Sequence, residues 1–217
     1  YSYLDEYLGK PLDTLTFLRN PVERSFSHFR HVLRDPSHPF HEKVCRHRSF
    51  KEFILDPETQ PLIKNFQVRA LSSHFKPWEM LNNAPTELPH PYWLDQQLTI
   101  QDDKLSTSEA LFIAKNMLLQ CKAFGIVERM DESAFLIAHA LGVKSYAGVE
   151  QLNIDHENAH LKISHEEMKL LSHLLEADMD LYDYALRIFD ARLLLHQYIP
   201  VKRHKPWYAY LTNKFKS

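Results

Sequence analysis

Glycine is nearly missing from this sequence: Gly9, Gly125, Gly142 and Gly148 are the only four among 217 residues, where an ordinary domain carries about 7%. That excludes collagen-like and glycine-rich low-complexity sequence. It also leaves no pair of glycines spaced so that backbone N–H groups can crowd round a phosphate. Cysteine is as scarce. Cys45 and Cys121 are the only two, too few for a disulfide-stapled mini-protein. Cys121 falls on an apolar helix face and Cys45 in a polar segment, so both are expected as free thiols. Charge of one sign is not in excess either, since 26 Lys+Arg stand against 28 Asp+Glu. This argues against a wholesale nucleic-acid binder or a polybasic membrane protein. No apolar run approaches the roughly 18 residues of a spanning helix, and no signal-peptide pattern opens the chain, so no transmembrane segment is expected.

What is present is the material of a folded core: 44% hydrophobic residues, with 13 Phe, 10 Tyr and 3 Trp. The length suits one large domain. The sequence opens on Tyr1 rather than Met, which reads as a fragment or a processed chain.

Leu12–Leu18 (LTFL preceded by Leu12-Asp13-Thr14) reads as a buried strand of a parallel sheet. A helix is expected straight after it, with Asn20 as N-cap, Pro21 at the first helical position and Glu23 closing a capping box. Residues 35–48, with Pro36, Pro39, His38, His41 and His47, read as an exposed loop. Short helices are expected over Ser49–Leu55 and Ile63–Leu71. Residues 74–104 hold four prolines and little periodicity, a stretch expected to leave the core. A capping box at Ser106–Glu109 opens a helix to about Cys121, and Ala123–Val127 reads as a second buried strand. Asp131 is expected to cap a helix that ends at Gly142. Ser164–Glu167 opens another helix, and Asp178 to about Tyr198 forms a last one with a stripe of Leu181, Tyr182, Ala185, Ile188, Phe189 and Leu193. The pattern is α/β and helix-rich.

The junction of the first strand and helix carries the chemistry. In open α/β sheets ligands bind beyond the carboxyl ends of strands, where Arg19 sits, and a helix starting there adds the positive end of its dipole. Ser27 lies two turns further on. A planar cationic fork with a hydroxyl suits a phosphate monoester. The alternative is a plain capped helix whose Arg19 and Arg24 are solvated or paired with Glu23.

The segment Leu18-Arg19-Asn20-Pro21-Val22-Glu23-Arg24-Ser25-Phe26-Ser27-His28-Phe29 resembles the 3′-phosphate-binding segment of sulfotransferases that use 3′-phosphoadenosine-5′-phosphosulfate (PAPS). The likeness is to the Golgi carbohydrate O-sulfotransferases and their bacterial relatives. Asn20 departs from the family's Asp, and caps as well. Asn65-Phe66-Gln67-Val68-Arg69-Ala70-Leu71, Phe124-Gly125-Ile126-Val127-Glu128-Arg129 and Asp180-Leu181-Tyr182-Asp183-Tyr184-Ala185 resemble further family segments in the same order. The resemblance implies a single sulfotransferase-like domain over residues 1–217, with a P-loop-NTPase-like parallel sheet flanked by helices. Its first strand and Gly-rich phosphosulfate loop are not present in this chain. It implies a loop and helix excursion over 35–104 near the acceptor site and a basic, aromatic tail over 200–217.

For function, the resemblance implies a transferase that moves the sulfuryl group of PAPS to an acceptor hydroxyl of a carbohydrate or small molecule, leaving the 3′,5′-bisphosphate PAP. Arg19 and Ser27 would hold the 3′-phosphate, and Asn153, His160 and Lys162 would close over the nucleotide. The catalytic base is not identified. Glu128, Arg129, Asp180 and Tyr182 are expected to hold the fold. The missing Gly-rich loop keeps a second reading open, a non-catalytic sulfotransferase-like nucleotide-binding or interaction domain; an unrelated P-loop kinase lacks a Walker motif. Neither a nucleic-acid partner nor a metal is expected, since His38, His41, Cys45 and His47 follow no strong zinc spacing. Free thiols and the lack of an Asn-x-Ser/Thr sequon point to the cytoplasm, with the Golgi lumen as the alternative.

Overall fold

The computed structural model describes residues 13–47, 49–72, 105–143 and 162–198. Strand β1 (Leu15–Leu18) pairs in parallel with β2 (Ala123–Ile126), Leu15 opposite Ala123 and Leu18 opposite Ile126. All four residues of β2 are buried, whereas β1 exposes Leu15 and Phe17 and buries Leu18. Gly125 faces Phe17 across the ladder; a Cβ there would collide with the Phe17 ring and come within 3.0 Å of Ser133 Cβ.

Helix α1 (Pro21–Arg34) follows β1, then α2 (His41–Arg46), α3 (Phe50–Leu55), a 3-10 turn (Gln60–Leu62) and α4 (Phe66–Ser72). After the undescribed segment come α5 (Thr107–Gln120), β2, a 3-10 turn (Val127–Arg129), α6 (Met130–Ala140), α7 (His165–Leu174) and α8 (Glu176–Leu195). The capping boxes at Ser106 and Ser164 form as expected, and Gly142 ends α6 in the left-handed region at φ 71°.

Three expectations are corrected. Residues 35–48 are not an open loop, because α2 sits within them, with Val44 fully buried and His38 nearly so. Asp131 is not a cap; the 3-10 turn runs directly into α6, and Asp131 lies in its first turn. Glu23 does not close a box on Asn20, whose N–H is taken from elsewhere in the chain. The tail from 199 and the stretch 73–104 lie outside the described residues.

The apolar interior has two parts. One gathers Leu18 and β2 with α4, α5, α6 and α8, through Val68, Ala114, Leu118, Phe124, Leu136, Leu181 and Phe189. The other gathers α1, α2, α3, the Gln60–Leu62 turn and α7, through Phe29, Val32, Val44, Phe53, Leu62, Ile63, Leu171 and Leu175. The chain crosses from one to the other between Leu18 and Phe26, between Ile63 and Val68, between Leu136 and Leu171, and between Leu175 and Ala177. No helix among the described residues is long and apolar enough to cross a membrane.

Candidate functional site

The crossings that follow Leu18, Ile63 and Leu175 meet at the end of β1, and polar side chains tie them. Asn65, at φ 43° in the left-handed region where Asn is tolerated, stands just before α4. Its Oδ1 accepts the N–H groups of Ala177 and Asp178 at 3.1 and 3.2 Å, and so caps α8 from another part of the chain. Asp178 returns the contact. Its carboxylate accepts the N–H groups of Gln67 and Val68 at 3.1 and 2.7 Å, capping α4. Burial pushes the Asp178 carboxyl up to about 6, against the pull of these two N–H groups and of the Arg24 and Arg69 charges.

Gln67, 7% exposed, carries this scaffold to Arg19. Its Oε1 accepts the Arg19 N–H at 2.9 Å, and its Nε2 donates to the Arg19 carbonyl, also at 2.9 Å. Asn20 caps α1 as expected, Oδ1 accepting from the N–H groups of Val22 and Glu23. The Asn20 N–H itself donates to Glu128 Oε1 at 2.8 Å, while the Tyr182 hydroxyl donates to Glu128 Oε2 at 3.0 Å. Burial and the Glu128 carboxylate together push the Tyr182 phenol upward, so it remains a donor. Arg19 Nε approaches Glu128 Oε1 only to 3.9 Å, and its side chain is 35% exposed.

With Pro21 lacking an N–H and the next two already capped, the first turn of α1 offers an anion its dipole rather than free donors. Side chains must do the binding. Arg19 stands at the carboxyl end of β1, and Ser27, half-buried, lies about 9 Å beyond Pro21 along the α1 axis by helical rise. Arg24 faces elsewhere: Nη1 donates to the Leu62 carbonyl at 2.9 Å, and the guanidinium lies 3.4 Å from the Phe66 ring centroid. It anchors α1 to the segment before α4. Lys162 is exposed, two residues before the Ser164 cap of α7. Asn153 and His160 fall outside the described residues.

The residues expected to hold the fold do so. Besides the Glu128–Tyr182 pair, Arg129 bonds Glu132 through both Nε and Nη2 and reaches Asp190, and Lys115 pairs with Asp180 at 2.9 Å. Among the described residues no group of three or more His, Cys, Asp or Glu side chains is arranged to hold a metal. Cys45 and Cys121 are free, Cys45 exposed and Cys121 buried. Gln67 was not among the expected site residues. Its mark in the sequence is a polar residue four before Leu71, on the face of a short helix that otherwise packs inward.

Relatives bear on what such a junction does. The chain is 25% identical to heparan-sulfate 6-O-sulfotransferase 2 of Gallus gallus, over 88% of this chain and 47% of that protein. It is 25% identical to the Danio rerio counterpart, over 81% and 37%. For heparan-sulfate 6-O-sulfotransferase 3 of Homo sapiens the figures are 26%, 82% and 38%. The chain thus spans less than half the length of these relatives. The family described as "Sulfotransferase family" matches residues 10–185, from ahead of β1 to the middle of α8 and across every crossing described above. On that match, the chain belongs to the sulfotransferase family.

Proposed function

We propose that the protein is a PAPS-dependent sulfotransferase with a carbohydrate hydroxyl as acceptor, and that the junction of β1 and α1 holds the 3′-phosphate of the nucleotide. On this reading β1 and β2 belong to a P-loop-NTPase-like parallel sheet within one sulfotransferase-like domain. PAPS supplies the sulfuryl group that passes to the acceptor oxygen. Arg19 provides a permanent charge and a planar fork for the phosphate, and Ser27 a hydroxyl donor. Lys162, with Asn153 and His160 in the segment before it, closes over the nucleotide. Residues 35–104 contribute to the acceptor side. A carbohydrate is favoured because the named relatives act on heparan sulfate.

The observation that supports the site is the state of Arg19. Its main chain is held at both N–H and carbonyl, yet among the described residues its guanidinium has only a 3.9 Å approach to a carboxylate that already serves two other donors. A phosphate dianion can therefore recruit this charge without breaking a close ion pair. The donors the site offers, a guanidinium and a hydroxyl, fit a phosphate monoester. Calorimetric titration of PAP into the wild type and Arg19→Ala tests this. A loss of about tenfold or more in affinity is expected, in line with a charge-assisted hydrogen bond. Equal affinities would overturn the assignment.

A further inference from the structure

The Arg19 peptide lies just past the last residue of β1, where the ladder with β2 has ended at Leu18 and Ile126. Among the described residues β1 pairs with β2 alone. A peptide in that position has one donor and one acceptor to satisfy and, among the described residues, no neighbouring strand to satisfy them. The Gln67 carboxamide does what a strand would, accepting from the Arg19 N–H and donating to the Arg19 carbonyl, each at 2.9 Å.

The residue type follows from the chemistry. A carboxylate accepts from the N–H but repels the carbonyl, a cationic side chain only donates, and an apolar one does neither. A neutral carboxamide matches both with two separate atoms; a hydroxyl can do the same at short range, as Ser133 does at Ile126, but serine and threonine lack the reach of glutamine, and asparagine is one methylene shorter. Gln67 is also well placed to act rigidly. It is buried, and its own N–H is bound to the Asp178 carboxylate at 3.1 Å, with Val68 beside it on the other oxygen. Asp178 is seated in turn by Asn65 at the start of α8. The path from α8 through α4 to Arg19 is therefore one run of directional bonds at the seam between the two cores.

We propose that Gln67 is a positioning residue for nucleotide binding, setting the Arg19 backbone so that the guanidinium is presented at the end of β1 before any ligand arrives. This rests on the reading of Arg19 as the 3′-phosphate contact. The order is imposed on folding, so the ligand need not impose it on binding. Gln67 itself touches no phosphate.

The test compares PAP with 5′-AMP, which lacks the 3′-phosphate, in calorimetric titrations of wild type, Gln67→Met, Arg19→Ala and the double variant. Met keeps the length and apolar stem of the side chain and removes both hydrogen bonds. Expected are a fall of about tenfold in PAP affinity in Gln67→Met, an unchanged 5′-AMP affinity, and a double variant no weaker than Arg19→Ala alone. A merely structural residue would lower the melting temperature and leave the PAP to 5′-AMP ratio intact. Retention of that ratio in a folded Gln67→Met, or additive losses in the double variant, would overturn the positioning role. Should Gln67→Met fail to fold, Gln67→Asn is read by the same ratio, since its amide is too short to span the contact. A wild type that does not prefer PAP over 5′-AMP overturns the 3′-phosphate reading itself, whatever Gln67 does.

Discussion

The Glu128 carboxylate accepts hydrogen bonds from the Asn20 N–H and the Tyr182 hydroxyl, and both donors spend charge that Arg19 would otherwise draw on. The acid that completes the α1 cap thus comes from 108 residues away instead of from Glu23. Nothing in the spacing of Asn20 and Glu23 distinguishes the two arrangements, because either satisfies the same N–H. Gly125 is the other residue whose identity is dictated by a neighbour. Opposite it, Phe17 lies over the strand, and beneath it Ser133 bonds both the N–H and the carbonyl of Ile126. Gly125→Ala is expected to cost about 1–3 kcal/mol, the range of an overpacked site. Urea unfolding measures it; a change within about 0.5 kcal/mol would mean that the half-exposed Phe17 ring simply swings away.

Helices α4 and α8 cap each other, and this exchange is the principal feature at the level of elements. A seven-residue helix such as α4 has little intrinsic stability, and its first N–H groups depend on Asp178. The pH dependence follows in sign. The folded-state value for Asp178, about 6, lies above its ordinary 3.8. Between those values the folded protein holds a proton that the unfolded chain has released, so this group makes stability fall as pH rises through the window, then level off above it. Asp178→Asn removes the titration and supplies one carbonyl oxygen for two N–H groups. Thermal unfolding at pH 4, 5, 6 and 7 should show a flatter profile in the variant than in the wild type. Parallel profiles would remove Asp178 as the cause.

At the scale of the molecule, two apolar cores share one seam, and α8 contacts α4, α5, α6 and β2 within the first core and α1 across the seam. Phe53, fully buried in the second core beside Phe29 and Phe50, is remote from β2 in sequence and lies in the other cluster. Phe53→Ala is expected to cost about 3–5 kcal/mol, a large part of a typical domain's stability. Because Arg19 is held by bonds that join both cores, the loss should appear as one earlier unfolding transition, with amide-exchange protection in β2 and in α3 lost together. Separate loss of protection in the two elements would show that the cores unfold independently.

Periodicity, caps and short motifs were enough to place nearly every described element, because helix starts at Asn20, Ser49, Ser106 and Ser164 are local hydrogen-bonding decisions made within three or four residues. The same local logic located the β1–α1 junction, where it names Arg19 and Ser27 as candidates. It misjudged residues 35–48, where the burial of Val44 and His38 depends on α1 rather than on neighbours in the chain. It could assign no partner to Asn65, Gln67, Glu128 or Asp178. Those residues act across 48 to 113 positions of sequence, and a carboxamide or carboxylate announces its capacity to bond but not its partner. What holds the Arg19 backbone in place is therefore a property of the folded seam, where a carboxamide from 48 residues away satisfies both its N–H and its carbonyl.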